Sequence, residues 1–428
     1  MPRILHLGVG NFHRAHQAWH TARAGGDWRI TGVVMSNADL FERLLSQDGA
    51  YHLGIRGFDG LTVERIAIHD RLLLASRSPQ AVIDAIVDAE VQVVTLTITE
   101  KGYCLGPDGR LDLQNAAIAR DLAAGPSSAL AMLAHGLSRR TAPVTVISCD
   151  NISANGRKLH AGVRDYSTAA GLSLTANISF PDTMVDRITP VITDAVRYEI
   201  EDRVGRPDVA PVLTEAFSEW IIEDDFAGPR PNWEKAGVEI VPDVARFEMR
   251  KLRLLNAAHS YLAYAGLLAG HRYVHEAMAD PALRAGVEQL WDEAERTLPE
   301  TLSAGLAAYR CALIERFLVT AMRHELSQIA VDGSLKLRER LVPVVYGPND
   351  APQARRAIAA WVAFLLWRHM SGKAVADANA SQIVGLLAGS RDLTAVCAAL
   401  AGLIGLADPS LEWLEHLSAE VIKMRRNT

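Results

Sequence analysis

Apolar runs of two different lengths alternate along the first half of the chain. Short ones lie at Ile4 to Leu7, in WRITGVVM, in VQVVTLTI (91 to 98), in APVTVISC (142 to 149) and in LSLTANISF (172 to 180), with Ala/Leu-rich stretches between them. Strand-length apolar runs separated by helix-length segments predict a parallel sheet covered by helices. The opening, RILHLGVGNFHRAHQAWH, predicts a buried strand, a glycine turn and a helix running toward Trp19. From about residue 245 the pattern changes. RFEMRKLRLLNAAHSYLAYAGLLAG, PALRAGVEQLWDEAERTL, QARRAIAAWVAFLLWRHM and LTAVCAALAGLIGL are long and nearly free of β-branched runs, which predicts helices. The proline-containing DFAGPRPNWEKAGVEIVPDV stands before the change and is the expected connector.

The glycine turn gives the first half a chemistry. Gly8 and Gly10 fall between a strand and a helix, where glycines let backbone approach a pyrophosphate and aim amide groups at it. Gly8, Gly10, Asn11 and Phe12 are therefore the candidate cofactor-binding residues. His13 occupies the sixth position of the GxGxxG pattern, where a third glycine is usual. After the second strand, VVMSNADL offers Ser36 and Asn37 and then Asp39, the candidate partner for ribose hydroxyls. No arginine stands in this loop to meet a 2′-phosphate, so NAD is expected ahead of NADP. The fold class is thus an α/β, Rossmann-like dinucleotide-binding domain over residues 1–242 and a mostly α-helical substrate domain over 243–428.

Bulk properties narrow the partners. A chain of 428 residues, 49% apolar and 22% charged, suits two domains. Its net charge of -6 argues against a general nucleic-acid or anionic-membrane binder, leaving a small molecule as the expected partner. Cys104, Cys149, Cys311 and Cys397 are far apart with no CxxC pair, which suits free thiols in a reducing cytoplasm. No apolar run reaches the roughly eighteen residues of a membrane span. A cytoplasmic protein is expected, monomeric on chain length, with a homodimer left open.

KLRLLNAAHS, residues 251 to 260, sets polar groups into an otherwise apolar helix. On an ideal α-helix Glu248, Lys251, Asn256 and His259 fall within an arc of about 140°, together with Leu252 and Leu255. A lysine in such an apolar wall is poorly solvated, and its pKa is expected to fall toward neutrality. Two further polar clusters end strands, where open α/β sheets place ligands: Glu100 and Lys101 in TLTITEKGYC, and Asp150 and Asn151 in VISCDNISANG. Asn151 and Asn256 could both donate to an oxygen that gains negative charge during reaction.

Taken together, GVGNFHRAHQA, QDGAYHL, TEKGYC, SCDNISANG, FPDTMVDRITP, RPNWEKAGVEIVPDV, KLRLLNAAHS and QIAVDGSLK resemble the ordered motifs of the mannitol dehydrogenase family of polyol and hexuronate oxidoreductases, from about residue 4 to 343. The resemblance implies a metal-independent dehydrogenase. Lys251 would be the general base, Asn151 and Asn256 would bond the reacting oxygen, and His259 would bind a substrate hydroxyl. Glu100, Asp186 and Lys336 would line the substrate site, and Glu248 would relay protons to the lysine; Lys101, beside Glu100 at the strand end, is a further substrate-binding candidate. Gln328 stands where the mannitol branch carries an arginine, and TEKGYC and QIAVDGS are closer to the fructuronate reductase branch. The expected substrates are mannonate/fructuronate or mannitol/fructose pairs, with another polyol such as arabinitol as an alternative.

Two rival functions leave different marks. A zinc alcohol dehydrogenase needs clustered ligands, whereas HELSQ lacks a second histidine four residues on, and His271 and His275 read as ordinary helix or loop residues. No metal ligand is therefore assigned. A non-catalytic nucleotide-binding sensor would have no use for Lys251, Asn256, His259 and Asn151 together.

Overall fold

The computed structural model describes residues 1–106 and 109–426. The chain divides into two compact units, Met1–Ala245 and Arg246–Thr428.

Unit 1 is built on a six-stranded, wholly parallel sheet. Its strands are β1 (Arg3–Leu7), β2 (Arg29–Val34), β5 (His69–Leu74), β6 (Val91–Leu96), β7 (Val144–Ser148) and β8 (Ile178–Ser179), in the spatial order β5-β2-β1-β6-β7-β8. Alternation along the strands sends side chains to opposite faces. Leu5, Leu7, Val94, Leu96 and Val146 join one apolar cluster, with Ile83, Leu133 and Val163 from covering helices. Ile4, Ile30, Val93 and Ile147 join another, with Ala18, Leu44, Trp220 and Trp233. Both faces are therefore covered, as a parallel sheet requires.

Two expectations need correcting here. LSLTANISF was expected to be a strand over 172–180, but only Ile178–Ser179 pairs with β7. Leu172 and Leu174 do turn alternate side chains toward the core, so the period-two pattern is real. It marks half-buried chain that joins the sheet only at its end, where Val144 N donates to Asn177 O (3.1 Å) just before the paired residues. The glycine turn was expected to feed one helix toward Trp19; instead α1 (Asn11–Ala15) stops and α2 (Gln17–Ala24) begins, with a break at His16. There Gln17 Nε2 donates to His16 Nδ1 (3.0 Å), so the ring's other nitrogen donates to Glu219 O (3.0 Å).

Two small mixed sheets were not foreseen. One joins the hairpin β3 (Tyr51–Gly57) and β4 (Gly60–Ile66) to β10 (Val212–Glu215), in the order β10-β3-β4. The other joins β9 (Thr183–Asp186), β11 (Glu219–Glu223) and β12 (Glu239–Val241), in the order β12-β11-β9. The remaining helices of unit 1 are α3 (Ala38–Leu45), α4 (Pro79–Val87), α5 (Ala116–Ala124), α6 (Ala129–Arg139), α7 (Asn155–Ala169) and α8 (Asp194–Val204).

Unit 2 has only helices among its assigned elements, apart from one isolated bridge between Tyr273 and Glu325. It opens within α9 (Ala245–Arg250), whose first residue belongs to unit 1, and continues through a π-helical segment Lys251–Asn256 and α10 (Ala257–Leu268). Every residue of α10 except Leu267 is buried, so it is the central helix of this unit. The helices Pro281–Glu295, Leu326–Ile329 and Pro352–Met370 pack around it.

Candidate functional site

Unit 1 holds an open cavity of about 400 Å³ at the carboxyl ends of β1, β2 and β6, lined by Gly8, Val9, Ser36, Asn37, Thr97 to Thr99, Lys101 and Gly102 among others. Strand β1 lies between β2 and β6, the point where the strand order reverses and an open α/β sheet opens a crevice for ligand.

The two glycines serve different ends. Gly8 has φ +103°, and a Cβ there would lie 2.1 Å from Thr97 O, so the fold itself demands glycine. Gly10 has φ -143°, and the nearest heavy atom to a Cβ would be Gly8 O at 3.7 Å. Nothing in the protein requires its bareness, which leaves close approach of a ligand to the backbone as the physical reason for it. Asn11 and Phe12 begin α1 beside this turn. Asn11 Oδ1 accepts from Arg14 Nη2 (2.8 Å), and the Phe12 ring stacks on His16 at 4.9 Å. Asp39 is exposed, pairs with Arg43 (2.9 Å) and is not among the lining residues; Ser36 and Asn37 are. Asn37 also caps α3, accepting from Leu40 N (2.9 Å).

His13, in place of the third glycine, is explained by its contacts. Its ring lies flat on His6 of β1, with centroids 3.4 Å apart, and its Nε2 meets His69 Nε2 at 2.9 Å. A flat ring on a flat ring substitutes for the close helix-to-strand packing that glycine usually allows. Thr97 Oγ1 donates to Gly8 O (2.8 Å), so it accepts from His6 Nε2 (2.9 Å), and His6 Nδ1 accepts from Thr95 Oγ1 (2.8 Å). The glycine turn is thereby tied to β6 through a neutral imidazole. Burial, reinforced by His69, holds His6 down to about 3.

The two strand-end clusters are joined by a carboxylate. Asp150 accepts from Thr99 N (2.7 Å), Ile98 N (3.1 Å) and Tyr103 OH (2.9 Å), and burial raises its pKa above the ordinary carboxylate value. It holds Thr99 at φ +65°, ψ 162°, a conformation nearly confined to glycine, on the cavity wall. Glu100 and Lys101 follow in a 3₁₀ turn, both exposed, with Lys101 on the cavity lining. Asn151 is exposed just after Asp150, and Asp186 is buried at the end of β9. Sequence reasoning missed Asn155. Its Nδ2 donates to Asp150 O and Thr183 O (3.0 Å each) and its Oδ1 accepts from Thr183 N (2.9 Å), joining the Asp150 loop to the strand that carries Asp186. The signal was present in the motif SCDNISANG, whose second asparagine precedes Gly156, where a Cβ would lie 2.3 Å from Pro181 O.

In unit 2 the ideal-helix geometry expected for KLRLLNAAHS is overturned. Lys251 is the first residue of the π segment and Asn256 the last. On an α-helix residues five apart are about 140° apart, whereas i→i+5 bonding brings them close to one line. The π turn therefore draws Lys251 and Asn256 toward one face. Its carbonyls find outside partners: Leu254 O accepts from Trp291 Nε1 (2.9 Å), and Asn256 O accepts from Ser260 Oγ (3.1 Å) and Arg340 Nη1 (3.4 Å). Lys251 is only 7% exposed and His259 8%, with Glu248 and Asn256 partly buried. The His259 ring packs against Phe317 (4.7 Å) and edge-on to His324 (5.4 Å). Burial, with His324, Arg316 and Arg340 adding positive potential, keeps its pKa well below the usual histidine value, so the imidazole is neutral. Lys336 is partly buried on the helix Gly333–Arg340, its Nζ donating to Ile329 O (3.3 Å), and Gln328 is exposed.

The family model for the mannitol dehydrogenase Rossmann domain matches residues 2–235, and that for the mannitol dehydrogenase C-terminal domain matches 243–403. D-mannonate oxidoreductase of Escherichia coli (strain K12) is 38% identical over 80% of this chain and 75% of its own length. D-arabinitol 4-dehydrogenase of Ralstonia nicotianae is 37% identical over 80% of this chain and 78% of its own. The structure of Pseudomonas fluorescens mannitol 2-dehydrogenase in ternary complex with NAD and D-mannitol superimposes with a TM-score of 0.82 at 33% identity, covering 100% of this chain and 92% of that one. The motifs, the two matched domains and the shared fold agree: this chain belongs to the mannitol dehydrogenase family of oxidoreductases.

Proposed function

We propose that the protein is an NAD-dependent dehydrogenase that transfers hydride to or from the secondary alcohol carbon of an open-chain polyol or sugar acid, with Lys251 as general acid and base. The observation that carries this reading is the π segment, which starts on a buried lysine and ends on an asparagine. π turns are rare and concentrate at functional sites.

In the oxidising direction, neutral Lys251 takes the hydroxyl proton as the carbon–oxygen bond becomes a carbonyl. The amides of Asn256 and Asn151 donate to that oxygen as it gains charge. Neutral His259 bonds a neighbouring hydroxyl, Asp186, Glu100, Lys101 and Lys336 position the rest of the substrate, and Glu248 passes the proton on. NAD, when bound, supplies the nicotinamide that accepts the hydride. The turn at Gly8 to Gly10 and the Thr97–Thr99 wall would hold it. The loop after β2, Ser36 to Asp39, carries no arginine to meet a 2′-phosphate, which favours NAD over NADP.

The test is Lys251→Ala, followed at 340 nm with mannonate, mannitol and arabinitol. Acid–base catalysis contributes about 10²- to 10⁴-fold, so turnover falls by that factor while the dissociation constant for NAD stays within about twofold. Undiminished turnover removes Lys251 from the mechanism. NAD binding by the wild type with no turnover on any substrate supports a sensor instead.

A further inference from the structure

Arg340 ends the helix Gly333–Arg340, four residues after Lys336, so the two cations share a helix face. It is partly buried, and desolvation pulls its pKa down from the ordinary arginine value. Its Nη1 donates to Ser260 Oγ (3.0 Å) and to Asn256 O (3.4 Å). Among the described residues no carboxylate forms an ion pair with it, and its neighbour Glu339 is exposed.

Several inward arginines are more fully committed, although Arg253 likewise donates through Nη1 alone, to Thr297. Arg140, buried, has all its donors taken by the carbonyls of Ala142, Ile86, Asp88, Val91 and Pro143. Arg310 pairs with Asp292 (2.8 Å) and Glu295 (3.2 Å), and Arg56 with Glu199 (2.7 Å). Arg340 uses one nitrogen only. Its Nε–Nη2 edge, the side that grips a carboxylate with two parallel hydrogen bonds, has no protein partner among the described residues. The edge belongs to a guanidinium bonded to Asn256 and close enough to His259 to depress its pKa.

Resting on the function proposed above, we infer that Arg340 is a specificity-determining residue whose free edge binds a substrate carboxylate, so that the enzyme takes sugar acids in preference to neutral polyols. A polyol would leave this edge to water. An aldonate brings a negative charge to it and supplies the two acceptor oxygens in the geometry the fork requires.

The experiment compares D-mannonate with D-mannitol, which shares its carbon skeleton without the charge, in the wild type, Arg340→Met and Arg340→Lys. The wild type should favour the acid by at least about tenfold in kcat/KM. Arg340→Met should lower kcat/KM for mannonate about 10- to 100-fold, mainly through KM, with a loss at least about tenfold larger than for mannitol. Arg340→Lys should recover part of it. Equal losses on both substrates would make Arg340 only a support for the Asn256 carbonyl and overturn the inference, as would no loss on the acid. Should the variants fail to fold, the wild type alone decides: D-mannonamide, uncharged, should be a substrate at least about tenfold poorer than mannonate, and equal use of the two overturns the inference. A wild type that oxidises polyols but no sugar acid sinks this inference alone, whereas one inert to both sinks the proposed function.

Discussion

Lowering the pH from 7.5 to 5.5 should destabilise unit 1 far more than its surface charge would suggest. Four of its histidines are buried and held neutral: His6 and His20 are lowered to about 3 and His69 to about 4, while His13 lies well below the ordinary value of 6.5. Desolvation is the first cause in each, reinforced by His69 at His6, by His6, His69 and Arg14 at His13, by Arg187 at His20 and by Arg14 at His69. The folded unit therefore takes up no proton at these rings in this window, whereas the unfolded chain takes up one at each as pH drops through about 6.5. Stability is complete above that value and is lost on acidification, until the folded groups themselves titrate. Each ring contributes on the order of 1 kcal/mol between pH 7.5 and 5.5, and the four together several kcal/mol, comparable to the whole stability of a small domain. Carboxylates, titrating mainly below this window, add little. Urea unfolding read by hydrogen exchange in peptides from β1 and β6 reports unit 1 separately. A fall of less than about 1.5 kcal/mol would mean that these rings accept protons in the fold, and the neutral stack beneath the glycine turn would be wrong.

Three substitutions test the cofactor cavity. Gly10→Ala should leave stability unchanged or raise it by up to about 1 kcal/mol, because its Cβ has room, yet weaken NAD binding at least about tenfold by calorimetry. Gly8→Ala should instead destabilise the unit in thermal unfolding, since its Cβ meets Thr97 O at 2.1 Å and its φ is +103°. Thr99→Gly should relieve about 1–3 kcal/mol of backbone strain, less the roughly 0.5–1 kcal/mol entropic cost of glycine, so the urea midpoint rises or holds while NAD affinity falls. A lower midpoint would show that Thr99 is not strained.

What could be read from the sequence follows from the range of the interactions. The strands β1, β2, β6 and β7 and the helical second half announce themselves because their apolar runs are continuous and local. The glycine turn is legible for the same reason, since its strand, its loop and the start of its helix are adjacent. The role of His13 is not, because its partners His6 and His69 come from two separate strands. Nor was the placement of Asp39, whose carboxylate is taken by Arg43 one helical turn on; i,i+4 pairing is visible in sequence but does not say which way the pair faces.

The π segment is the sharpest case. Leu252, Leu254, Leu255, Ala257 and Ala258 are good α-helix formers, and nothing in that composition favours a wider turn. What can favour it is distant: Trp291 donates to Leu254 O from 37 residues away, and Arg340 donates to Asn256 O from 84. A wider turn disrupts the regular i→i-4 ladder, and carbonyls loosened from that ladder cost free energy unless another donor reaches them. The same two donors hold the backbone at the end of the segment, on which Asn256 stands. Arg340 thus has two consequences that separate experimentally. Its Nη1 bond supports the backbone and should affect all substrates alike, while its Nε–Nη2 edge should affect only those that carry a carboxylate, so the ratio of acid to polyol kcat/KM, rather than either value alone, reports on the edge.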